Sequence, residues 1–219
     1  MSVKTDPTAA AAGPSSFSIF LPEGFIELPS DEPDLDQLQA LAREIAALFG
    51  AEPDGEIDQG LAETTAMLAA TATAAASAAG RSSFTAAGFF RSPDDSSRPI
   101  MALINCFCLE SDSDSIETTV AGLQEVHRHT GDGAPEVVEL PAGTAVLAQA
   151  TAPRQATVGE TTVEMTEHSI TAWIANPTSV VAVAVTSNNT EDWDHVADMS
   201  RGIFETFEWQ TDEATAEGE

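Results

Sequence analysis

The chain has 219 residues, and 36 Asp and Glu against 8 Lys and Arg give it a formal net charge of −28 at pH 7. A hydrophobic fraction of 42% over that length is enough for one large domain with a sizeable core. So few cations exclude nucleic acid as a partner, because phosphate neutralisation needs clustered Lys and Arg, and they disfavour an anionic membrane surface for the same reason. The acidity itself keeps a protein in solution, suits a basic protein partner, and is equally compatible with a salty cytoplasm.

Residues 1–16 and about 210–219 are small, polar or acidic, and read as disordered tails around a single domain at 17–209. The opening MSVKTDPTAAAAGPSS lacks an apolar h-region and contains Asp6, so neither a secretory signal nor a lipoprotein leader is expected, and the location follows as cytoplasmic. Two short strands at 16–22 and 24–29 are expected to pair across Pro22-Glu23-Gly24. Pro33 then suits a first helical residue. Leu35, Leu38, Ala42, Ile45, Leu48 and Phe49 fall on one helical stripe that ends at Gly50.

A second helix is expected at 57–79, rich in alanine and stopped by Gly80. Paired strands follow at 83–91 and 99–110, the second apolar on both faces, as in a central strand covered from both sides. A third helix at 115–128 would turn Ile116, Val120, Leu123 and Val126 inward. Strands at 137–140, 144–150, 163–176 and 179–187 are joined by short turns and so run antiparallel. Residues 169–190 carry no charge, but Asn176-Pro177 in their middle and the absence of basic flanks make them a hairpin and not a membrane span. The last helix is expected at 193–209, burying Trp193, Val196, Ile203 and Phe207. The fold class is therefore α+β: a mostly antiparallel sheet of about six to eight strands with helices packed on both faces.

Residues 17–29 (FSIFLPEGFIELP), the hairpin strand SVVAVAVTS ending at Ser187, and the closing FETFEW ending at Trp209 together resemble uncharacterised actinobacterial proteins with a PsbP-like α/β/α sandwich. The likeness is one of layout over residues 17–209. It implies a protein-binding fold without a shared catalytic centre, and it carries over no site residue.

Signatures of hydrolases and phosphate binders (G-x-S-x-G, H-E-x-x-H, the P-loop, G-x-G-x-x-G) do not occur. Cys106 and Cys108 leave the same face of a strand at a spacing too wide for a ready disulfide, so reduced buried thiols are expected. With His127 and His129 they supply the donor set of a tetrahedral zinc site. The two histidines point apart on a helix, however, and two core thiols beside two dipole-stabilised histidines is the plainer assignment. Asp192, Asp194, His195 and Asp198 could orient a general base, or simply complement a helix N-terminus. Asn188-Asn189-Thr190 matches a glycosylation sequon, which has no meaning in the cytoplasm. Trp173, Trp193 and Trp209 read as core, with an exposed protein-binding anchor as the alternative.

No catalytic, cofactor-binding or metal residue is therefore assigned. The expected function is a non-enzymatic cytoplasmic protein-binding or adaptor domain. A small-molecule-binding or hydrolytic domain with a cleft between sheet and helices, and a chaperone-like protein for a secreted cargo, are the alternatives.

Overall fold

The computed structural model describes residues 2–4, 17–52, 55–79, 83–113, 115–158 and 161–210. Strand β1 (Ser2–Lys4) is followed by β2 (Phe17–Phe20), β3 (Phe25–Glu27), helices α1 (Leu35–Leu48) and α2 (Gln59–Ala79), and strands β4 (Ser83–Arg91) and β5 (Pro99–Glu110). Helix α3 (Ile116–Arg128) leads to β6 (Glu136–Leu140), β7 (Gly143–Val158), β8 (Thr161–Ala175) and β9 (Ser179–Ser187). A 3₁₀ turn (Thr190–Asp192), α4 (Trp193–Glu205) and β10 (Glu208–Trp209) close the chain.

Seven strands in the order β3-β4-β5-β9-β8-β7-β6 form one wholly antiparallel sheet, and β1-β2-β10 form a small second sheet. The α+β class with a mostly antiparallel sheet thus follows from the short turns between sequential strands. Strand alternation assigns the two faces. Ile100, Ala102, Ile104, Cys106 and Cys108 of β5 join Val181, Val183 and Val185 of β9 in a core covered by α4 and β2, through Val196, Ile203, Phe204 and Ile19. On the opposite face Ala87 and Phe89 of β4 meet Leu41, Ile45 and Leu68 of α1 and α2, with Met101 and Leu103 packed alongside. Farther along that face, α3 lays His127 against Trp173 at 5.1 Å. Helices cover both faces, as the apolar character of β5 on both sides requires.

Several expected elements differ in detail. The strands expected at 16–22 and 24–29 do not form a hairpin. Gly24 takes φ +102°, a left-handed conformation in which a Cβ would sit 2.8 Å from the Phe90 ring, and it steers the chain out of the small sheet so that β3 pairs with β4. Pro33 precedes the helix: Asp34 is the N-cap of α1, in a capping box with Gln37. The α1 stripe is only partly covered. Leu41, Ala42 and Ile45 are buried, whereas Leu35 is 78% exposed.

In α3, Val126 is 60% exposed and His127 takes the inward position beside Trp173. The last helix stops at Glu205, because the Thr206 hydroxyl turns to the Phe20 backbone and lets Glu208–Trp209 pair with β2. β7 and β8 stay paired out to Val158↔Thr161, well past the end of β9, as a two-stranded ribbon. Within the expected N-terminal tail, Ser2–Lys4 pairs with β2. Residues 5–16, Gly80 and 211–219 lie outside the described residues.

Candidate functional site

The densest polar network forms where the β4–β5 connection meets the start of α4. Asp192 is fully buried, and its carboxylate accepts hydrogen bonds from Arg98 Nε at 2.7 Å and Arg98 Nη2 at 2.9 Å, a bidentate pair. Ser92 Oγ donates to the same carboxylate at 2.5 Å and accepts the backbone N–H groups of Asp94 and Asp95. Arg98 Nη1 also reaches Glu191 at 2.6 Å. The hydrogen bonds from Arg98, then that from Ser92, pull the Asp192 carboxyl down to about 2, and the Arg98 guanidinium is raised mainly by its hydrogen bond to Asp192.

Next to this clasp, His195 pairs with Asp94 at 3.0 Å, which raises its pKa, and His168 stacks on Trp193 at 5.2 Å. Asn189 ties the same corner together. It accepts from the Met101 N–H and donates to the Pro99 carbonyl.

Of the acidic cluster expected at this helix opening, only Asp192 lies inside, and it binds Arg98 and Ser92 with no side-chain hydrogen bond to the helix end. Asp194 and Asp198 are exposed. The imidazole of His195 is oriented by Asp94, a residue absent from the sequence-level cluster. Arg98, Ser92 and Asp94 come from roughly a hundred residues away along the chain. The signal that could have found them is the pairing of a lone Arg in a tight, acid-rich turn with an acid at a helix opening.

The four candidate zinc donors are divided by the sheet. Cys106 and Cys108 belong to the core on the α4 side, whereas His127 touches Trp173 on the other face and His129 is exposed beside Glu125. No group of three or more His, Cys, Asp or Glu side chains among the described residues is placed to hold a metal ion.

Burial drives the Cys106 thiol up to about 12 and also raises Cys108. Both thiols should therefore stay protonated and inert at neutral pH. In a native-state assay with a disulfide reagent, less than one thiol per chain should react until denaturant is added. Rapid stoichiometric labelling would contradict this placement.

The tryptophans are all half-buried and packed: Trp173 on Phe107 and His127, Trp193 on His168, and Trp209 on Phe207. Trp173 and Trp209 each bury an indole Nε1 that meets no acceptor among the described residues. No helix among the described residues is long and apolar enough to cross a membrane.

A groove of about 620 Å³ lies between α1, α2 and their connection, lined in part by Leu35, Leu38, Arg43, Ile57, Ala62 and Ala66. It exists because the apolar stripe of α1 is wider than the surface that the sheet and α2 cover. Leu41 and Ile45 point inward, while Leu35 and Leu38 face the groove. Arg43 is the sole Lys or Arg between Lys4 and Arg81, and it makes no ion pair among the described residues. Two acids, Glu56 and Glu63, share the groove lining with it, and Asp34 and Asp36 flank the exposed Leu35 at the start of α1.

No family model, curated protein or solved structure matches this chain.

Proposed function

We propose that the chain is a non-enzymatic cytoplasmic binding or adaptor domain that offers an acidic surface to a basic protein partner. One observation carries this: Arg98, Arg128, Arg154 and Arg201 each meet a carboxylate of the same chain, which leaves the outward field to the many carboxylates without a cationic partner. The clasp supports a role without chemistry, since the carboxylate of Asp192 is saturated by Arg98 and Ser92 and shielded from any reacting group. Two unpaired thiols in the core suit a reducing compartment. The layering of helices on both faces of an antiparallel sheet also supports the resemblance to PsbP-like sandwiches.

The apolar groove favours a second reading, a small-molecule site, although it lies between two helices and not between sheet and helices. Affinity capture with the full chain, followed by titration of each purified candidate at two ionic strengths, separates the two. A basic protein that binds directly and weakens as salt rises is the expected result. Acidic partners, or turnover of a co-purifying metabolite, would overturn the proposal.

A further inference from the structure

Resting on the proposed binding function, we infer that the α1–α2 groove is its docking site and that the occupant is a cationic amphipathic helix of the partner. The groove is apolar where a partner would sit and acidic around its edges. Leu35 stands 78% exposed on the apolar stripe of α1, and Met67 is 49% exposed on α2. The 21 residues of α2 contain one charged side chain, Glu63, in a chain of net charge −28. An unburied leucine forgoes transfer free energy that a partner side chain seated on it would recover.

A helix presenting apolar residues at i, i+3 or i+4, and i+7 has the geometry for a groove between two helices. Lys and Arg on its flanks would face Glu56 and Glu63 in the lining, with Asp34 and Asp36 beside Leu35 at the end of the groove. Charge selects this occupant over the others. A second copy of the chain would bring a second net charge of −28 against the first. An acidic amphiphile would meet Arg43 favourably but every surrounding carboxylate unfavourably. For the cationic helix Arg43 is the one opposing charge, so its removal should strengthen binding.

The test uses the full chain and a fluorescein-labelled Leu/Lys amphipathic peptide of about 15 residues, a length at which an isolated helix becomes viable. Fluorescence anisotropy is measured at physiological salt, with a Leu/Glu peptide of the same spacing as the control. The Leu/Lys peptide should bind with micromolar affinity and the control should not. A Leu35→Ser/Leu38→Ser variant should lose about tenfold or more, the loss expected from one unburied leucine. Glu63→Lys, a charge reversal at an exposed position of the groove lining, should weaken binding several-fold, and Arg43→Ala should tighten it.

If the leucine and Glu63→Lys variants bind as the parent does, the groove is not the docking site, while the acidic binding function stands. Preference for the Leu/Glu peptide, or weaker binding in Arg43→Ala, would identify a carboxylated amphiphile as the occupant and overturn the inference. Failure of every cationic peptide to bind would remove the binding proposal as well.

Discussion

Replacing Asp192 with alanine is expected to lower the thermal midpoint by on the order of 10 °C, because it strips the half-buried Arg98 guanidinium of its buried partner and leaves the Ser92 hydroxyl without its acceptor. Asp194→Ala and Asp198→Ala change exposed carboxylates on the same helix and should shift the midpoint by no more than about 1–2 °C. The contrast separates a clasp from a set of dipole-complementing acids. The clasp also predicts a pH dependence. The folded Asp192 carboxyl lies at about 2, below the ordinary carboxylate value near 3.8. Its contribution is therefore fully present above that ordinary value and is lost as the pH falls from there toward about 2. Removing the carboxylate should flatten the stability profile across that window, as read by thermal melts at stepped pH. The neighbouring His195 has the opposite sign. Its pKa is raised by Asp94, so its contribution is present below the ordinary imidazole value and fades as the pH rises through the elevated one. If Asp192→Ala melts like the parent, the network contributes nothing to the stability of the fold.

Phe207→Ala should cost about 3–5 kcal/mol. Phe207 is fully buried although it lies beyond the helix end, stacked on Phe17 at 5.3 Å and edge-on to Trp209 at 5.0 Å. The backbone there is held by Thr206 to Phe20 and by the pairing of β10 with β2, so the substitution leaves a cavity between the small sheet and α4 that cannot readily collapse. Phe20→Ala, at a residue 52% exposed on the same strand, is the control and should cost well under half as much. Equal losses in chemical denaturation would show that the aromatic stack is not the support of this corner.

The elements with a strong apolar period are legible in the sequence itself. The stretches expected at 83–91, 99–110 and 179–187 have the same limits as β4, β5 and β9, because alternation and turn residues bound them on both sides. The ribbon beyond Ala150 is legible on its β8 side, which falls within the strand expected at 163–176, and not on its β7 side, where the expected strand ends at Ala150. The ribbon is supported by its backbone ladder and pairs such as Arg154 with Glu167, and the side chains at 151–155 and 162–168 are mostly exposed, so no apolar alternation marks the β7 side. Pro153 fits there because a ribbon edge makes no demand on its missing N–H. The split of the first two strands between two sheets depends on the partners each meets, β10 and β4, from distant parts of the chain. Val126 misleads for a related reason. One helical stripe can be apolar while the sheet accepts only part of it, and here a histidine stacked on Trp173 takes the inward place.

The candidate sites divide in the same way. Local patterns single out Asp192, His195, the cysteines and α1, but they cannot show that the sheet separates Cys106 and Cys108 from His127, nor that Arg98 reaches Asp192 across 94 positions. The groove is present in the sequence only as a misleading core pattern, since Leu35 and Leu38 belong to the apolar stripe of α1 but the described residues leave Leu35 exposed and Leu38 only half-buried.

Backbone amide chemical-shift mapping of the ¹⁵N-labelled full chain during titration with the Leu/Lys peptide tests the central claim most directly. Shifts concentrated on α1, α2 and residues 55–59, with the clasp at residues 92–98 and 190–195 unmoved, are the predicted result. Small shifts scattered over acidic residues throughout the surface, with Leu35, Leu38 and Ile57 unaffected, would contradict it.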